Sequence, residues 1–184
     1  MFTEHSKADY VRMKSNYDIY KSDFINLIPL KEAIKMAFPP KDIMVPLDGS
    51  KNAERALTTA IALAKESKAR LHLVRVIDPN IYAAYGGGAN ATVFNEDVRL
   101  ATENYLEDVA KRVKESGFTN FSTKLLQGNI KSTLARSYPE EHKIDLIIIG
   151  ATGMNAISQA VMGSVTAYVV RHATVNVFVV KDDA

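Results

Sequence analysis

Gly150-Ala-Thr-Gly153, then nine residues, then Gly163-Ser164, gathers three of the chain's nine glycines just beyond an apolar run. Glycines at 150 and 153 let a backbone pass close beneath a ligand with no side chain in the way. Gly163-Ser164 opens a predicted helix, whose free amides and positive dipole end favour an anion, and the Ser164 hydroxyl adds one hydrogen bond. Each part alone also fits a structural role, with turn glycines and Ser164 as a plain N-cap. Their combination at the end of one strand favours a phosphate cradle. No Gly-Lys-Ser/Thr occurs and no lysine lies between residues 150 and 170, which excludes a Walker loop. G-x-G-x-x-G is also absent, which excludes the Rossmann fingerprint. A second candidate is Asp48, a carboxylate that ends another apolar run; it reads either as a ligand contact or as a turn residue before the next helix. The four histidines, His5, His72, His142 and His172, show no metal-ligand spacing. His72 lies within a predicted strand and reads as packed rather than catalytic.

These residues need a scaffold, and the hydrophobic pattern predicts one. "DIMVPL" (Asp42–Leu47) reads as a buried strand, and "DGS" turns the chain into a helix with Ser50 as N-cap. The apolar stripe of that helix is Ala53, Ala56, Leu57, Ala60, Ile61 and Ala64. Ala69–Ile77 is the second strand. A long loop through Tyr85-Gly86-Gly87-Gly88, either a lid or a plain connector, leads to a helix with Val98, Ala101, Tyr105, Val109 and Val113 on one stripe and Gly117 as its stop. Phe118–Gln127, with polar residues mixed in, reads as an edge strand. A helix from about Ile130 should end or kink at Pro139. "IDLIIIG", a helix from Ser164 to about His172, and Val175–Val180 complete the pattern. Five alternations of strand and helix, with continuous apolar runs, predict one α/β domain: a mostly parallel sheet with helices on both faces. Ligands in such sheets sit beyond the carboxyl ends of the strands, where the strand order reverses. Asp48 and Gly150 close two strands, and they share a crevice if those strands are neighbours.

The 184 residues are 47% apolar and balance 23 basic against 21 acidic groups, for a net charge of +2. That balance gives no case for a nucleic-acid or membrane surface. Cysteine is absent, which excludes disulfides and thiol chemistry and suits a cytoplasmic location. No stretch has the length of a signal-peptide core or a membrane span. Residues 1–38 read as an extension, mobile or partner-binding, with a short helix over Leu30–Phe38. Pro39-Pro40 marks its boundary with a domain over 39–184.

"IMVPLDGS", "LVRVID" and "GATGMNAISQAVMGSVTAYVVRHATVNVFVV" together resemble the ATP-binding universal stress proteins, including their full G-x2-G-x9-G-S/T motif. The resemblance covers about Lys41 to Lys181. It implies strand order 3-2-1-4-5 with ATP in the crevice, accompanied by Mg²⁺ or Mn²⁺. Pro46, Leu47 and Asp48 would line the adenine side, and Val76 would add a backbone contact to the base. Gly150, Thr152, Gly153, Met154 and Asn155 would wrap the ribose and phosphates. Gly163, Ser164, Val165 and Thr166 would hold the phosphate tail. Similar proteins usually carry proline where Asn176 stands, a departure that bears on the last strand.

No lysine or arginine near the γ-phosphate is identifiable along the chain, so ATP is expected to be held and hydrolysed slowly if at all, as in a nucleotide-dependent regulatory module. Two competitors remain. An ATP pyrophosphatase of related architecture would carry a Ser/Gly-rich loop after the first strand, where this chain has "PLDGSKNA". A dimerisation module without nucleotide would usually lack the glycine motif. The apolar strand Val175–Val180 invites edge pairing, and similar proteins pair it across a two-fold axis, so a homodimer is expected.

Overall fold

Continuous apolar runs bury strands from both faces, and the first three interior residues show this at once: Ile43, Met44 and Val45 are 0% exposed. They belong to β1 (Asp42–Pro46), the centre of the sheet in a computed structural model that describes residues 39–79, 91–154 and 162–181. The helix expected over Leu30–Phe38, the loop Tyr85–Gly88 and Asn155 lie outside the described residues. The other strands are β2 (Arg70–Ile77), β3 (Phe121–Gln127), β4 (Leu146–Gly150) and β5 (Asn176–Val180). All pair in parallel in the order β3-β2-β1-β4-β5, as expected. The order reverses between β1 and β4, which are hydrogen-bonded neighbours.

One face of the sheet is covered by α1 (Lys51–Ser67) and α2 (Ala91–Glu115). Ser50 caps α1, its hydroxyl accepting from the Ala53 amide at 3.1 Å. The alanine-rich stripe of α1 lets the helix lie close to the strands: Ala56, Ala60 and Ala64 are fully buried. α2 begins at Ala91, inside the stretch expected to be loop; no glycine or proline follows Ala91 to prevent a long helix from propagating backward. Its buried stripe also differs by one position. Ala101 is exposed, and Thr102 and Leu106 are buried with Val109 and Val113. Thr102 turns inward at little cost because its hydroxyl donates to the Val98 carbonyl at 2.7 Å. Gly117, at φ +79°, stops the helix. Phe118 therefore joins the core rather than the strand, and β3 begins three residues later than expected.

The other face is covered by α3 (Ile130–Ser132), a π-helical turn (Thr133–Ser137), α4 (Tyr138–Glu141) and α5 (Ser164–His172). Pro139 does not end this helical run. It has no N–H to donate and its ring crowds the turn before it, so the chain widens into the π turn and then continues. Among the described residues, no helix is long and apolar enough to cross a membrane.

Candidate functional site

The turn after β1 and the turn after β4 meet at the carboxyl edge of the sheet. A cavity of about 620 Å³ opens there, between the strand ends and the face carrying α3 and α5. Asp48 joins its two loops. Its Oδ1 accepts from the Ser50 amide at 2.9 Å, and its Oδ2 accepts from the Met154 amide at 3.3 Å. The carboxylate occupies the space a side chain at Gly153 would need, since a Cβ there would lie 2.6 Å from Oδ2. Asp48 thus acts as a turn residue, and it also lines the cavity.

Gly150 answers a different constraint. A Cβ on it would lie 2.7 Å from the Asn52 carbonyl carbon and 2.9 Å from the Ala53 nitrogen, so its bareness lets α1 seat against the end of β4. Thr152 is held by the same helix, its hydroxyl accepting from Asn52 Nδ2 at 2.5 Å. The other amide atom of Asn52, Oδ1, is buried without a hydrogen-bond partner among the described residues.

α5 points its N-terminus into the cavity. Gly163 is its N-cap and offers no side-chain cap, so Ser164 stands inside the first turn rather than capping it. The first intrahelical bond runs from the Ala167 amide to the Gly163 carbonyl at 2.8 Å. The amides of Ser164, Val165 and Thr166 therefore have no partner within the helix, and all three residues line the cavity. The Thr166 hydroxyl is already used, donating to the Gly150 carbonyl at 2.8 Å and tying α5 to β4.

Every expected site residue within the described chain lines this cavity: Pro46, Leu47, Asp48, Val76, Gly150, Thr152, Gly153, Met154, Gly163, Ser164, Val165 and Thr166. The structure adds residues that the sequence reading missed. Val74, Ile130, Leu134 and Ile149 make an apolar wall, with Ile130 and Leu134 coming from the run that bends at the π turn. The sequence reading placed a helix here without naming the face it buries. Arg75 is the other addition, and with Asp48 it carries the formal charge of the described lining. It arrives from β2, far from the glycine loop along the chain.

At the opposite end of the sheet, His72 is 5% exposed, as expected of a packed residue. Its Nε2 lies 2.9 Å from Asp42 Oδ1 and its Nδ1 lies 3.2 Å from the Tyr138 hydroxyl. Burial holds its pKa below the usual histidine value of 6.5, with Asp42 pulling the other way. The Tyr138 phenol is pushed up to about 12 by burial, so it is a hydroxyl donor at neutral pH. Among the described residues, no cluster of three metal-ligating side chains occurs.

A sequence model of the universal stress protein family matches residues 40–181. A relative from Staphylococcus haemolyticus, itself assigned to the universal stress proteins, is 34% identical over 143 residues, covering 78% of this chain and 86% of its own. Among solved structures, Universal stress protein UspA from Lactobacillus plantarum matches at a TM-score of 0.67 and 34% identity, over 77% of this chain and 97% of that one. A universal stress protein crystallised in complex with cAMP matches at a TM-score of 0.56 and 25% identity, again over 77% and 97%.

Proposed function

The chain belongs to the universal stress protein family, and from that membership we propose that its cavity holds ATP and that the domain serves as a cytoplasmic, nucleotide-dependent regulatory module. One observation carries the reading. The uncapped N-terminus of α5 and the Gly150–Met154 loop converge on one cavity with the end of β1, and the helix offers three amides to an anion while the wall beside them is apolar. The amides of Ser164, Val165 and Thr166 hold phosphate oxygens. Thr152, Gly153, Met154 and Asn155 follow the ribose and phosphates. Pro46, Leu47 and Val76 flank the base, where Asp48 can accept a hydrogen bond from base or sugar. The relative in complex with cAMP supports an adenine nucleotide as the ligand class.

A divalent ion, Mg²⁺ or Mn²⁺, fits only as a companion of the phosphates. The described lining contributes one carboxylate, Asp48, which already accepts two amide hydrogen bonds. Such an ion would offset phosphate charge when bound. We propose that hydrolysis is slow or absent, because no side chain of the described lining is a free general base able to position an attacking water. A pair of these domains is further proposed to associate through β5.

Denaturing the purified protein and chromatographing what is released tests the reading. Adenine nucleotide at near one per chain is the expected result. A blank that persists after ATP is added would overturn it in favour of a dimerisation module without nucleotide. Mg²⁺-dependent turnover on the order of 1 s⁻¹, typical of working enzymes, would overturn the regulatory part alone.

A further inference from the structure

Among the described residues, the large apolar side chains that stand exposed are Leu100, Met154, Met162 and Val170. Single exposed apolar side chains are ordinary on a protein surface. Two of these, however, line the same cavity: Met154, 66% exposed, and Met162, 43% exposed. Each adjoins a glycine of the loop, as Gly153-Met154 and Met162-Gly163. The two ends of that loop meet. The Gly163 amide donates to the Ala151 carbonyl at 2.8 Å, and a Cβ on Gly163 would lie 3.6 Å from the Gly153 nitrogen. The Met154 amide donates to Asp48 Oδ2 at 3.3 Å, and its sulfur sits by the turn after β1, since a Cβ on Gly49 would lie 3.6 Å from Sδ. Met44, inside β1, is by contrast 0% exposed.

The chain has no cysteine, so methionine supplies all of its sulfur. Hydrogen peroxide oxidises a thioether in one two-electron step. The sulfur lone pair takes one peroxide oxygen, the O–O bond breaks, and the other oxygen leaves as water with both protons. The product is a sulfoxide, polar and chiral where an apolar side chain stood, and sulfoxide reductases can reverse it. At Met154 the new oxygen brings the negative end of a dipole to a residue already held against the Asp48 carboxylate. An anionic ligand in the same cavity is disfavoured by that addition. From this placement we infer that Met154 and Met162 form an oxidation site on the rim of the cavity: peroxide converts them to sulfoxides, the oxidised rim holds nucleotide less tightly, and bound nucleotide shields them. The inference rests on the adenine-nucleotide reading and adds a redox control to that cavity.

Peptide mass mapping of the full chain after limited hydrogen peroxide, with and without ATP, tests the site. Met154 and Met162 should each gain one oxygen before Met44 does, and saturating ATP should slow both. Calorimetric titration of the oxidised wild type should show ATP affinity about tenfold weaker, as for one polar group desolvated without a partner, with an unchanged circular dichroism spectrum. The double variant Met154→Leu, Met162→Leu is titrated before and after peroxide, and its affinity, whatever its starting value, should not change. If that variant binds too weakly to titrate, the shielding of the wild-type methionines by ATP decides instead. Met44 oxidised as fast as the pair, oxidation indifferent to ATP, full affinity in the oxidised wild type, or an equal loss in the double variant would each overturn the inference while leaving the nucleotide reading intact. A wild type that binds no ATP before peroxide is added overturns both.

Discussion

Gly150 and Gly153 are three residues apart, yet their missing side chains serve different neighbours. At Gly153 the space belongs to the tip of a carboxylate, Asp48 Oδ2, which can swing aside. At Gly150 it belongs to the backbone of α1, which cannot move without dragging the helix. Gly153→Val should therefore displace Asp48, weaken nucleotide binding at least tenfold in a calorimetric titration, and leave the melting temperature nearly unchanged. Gly150→Ala should act on the fold instead, costing about 1–3 kcal/mol of stability as other overpacked cores do, or roughly 2–4 °C of Tm per kcal/mol for a chain of this size. If Gly150→Ala lost affinity at unchanged Tm, or Gly153→Val melted early, this division of roles would be wrong. The glycine spacing was readable along the chain because turn and helix-start residues are local signals. What each glycine makes room for was not, because Asp48 and Asn52 reach it only through β1–β4 pairing. Arg75 likewise lines the cavity from β2, well before the glycine loop in sequence, and carries no motif of its own.

Elements are joined by polar groups whose protonation matters, and the clearest joint is His72 between β1, β2 and α4. With Tyr138 donating to Nδ1 and Nε2–H donating to Asp42, the neutral ring satisfies both partners. Protonation would put a second donor against the Tyr138 hydroxyl, in a site where burial already disfavours charge and Arg70 and His142 add to that effect. The folded-state pKa is therefore below 6.5, and the unfolded chain takes up the proton first as pH falls. The stability this contributes is present above about pH 6.5 and is lost as pH drops through the folded-state value. Urea midpoints measured from pH 7.5 to 5.5 should fall more steeply for wild type than for His72→Gln, which keeps a donor for Asp42 and cannot titrate. Parallel slopes would remove His72 as the cause. That this histidine packs could be read from its place in an apolar strand. Its partners could not, since Tyr138 lies beyond the π turn, whose position depends on how Pro139 is accommodated. α2 shows the same limit: the helical period was legible, but whether Ala101 or Thr102 faces the sheet depends on the helix's rotation, which only packing sets.

At the scale of the whole molecule, the strand order leaves two edges, and they differ in chemistry. β3 interrupts its apolar residues with Ser122, Thr123 and an exposed Lys124, the kind of edge that resists further pairing. β5 reads Asn-Val-Phe-Val-Val, and among the described strands it pairs only with β4. The orientation of its free groups follows from one bond. The Val180 carbonyl accepts from the Ala151 amide at 2.7 Å, so Val180 turns its backbone groups toward β4. Alternate residues turn theirs the other way, so the amides of Val177 and Val179 point outward from the sheet. A second copy meeting this edge would find unpaired donors and acceptors beside half-buried valines, which is why β5 is the proposed dimer contact. Light scattering should give about twice the 20.3 kDa chain mass at micromolar concentration. Val179→Pro removes an outward amide and spares the β4 ladder, so it should give a monomer that still melts cooperatively. A monomeric wild type would refute the pairing, and a Val179→Pro protein that stays dimeric would move the contact to another surface.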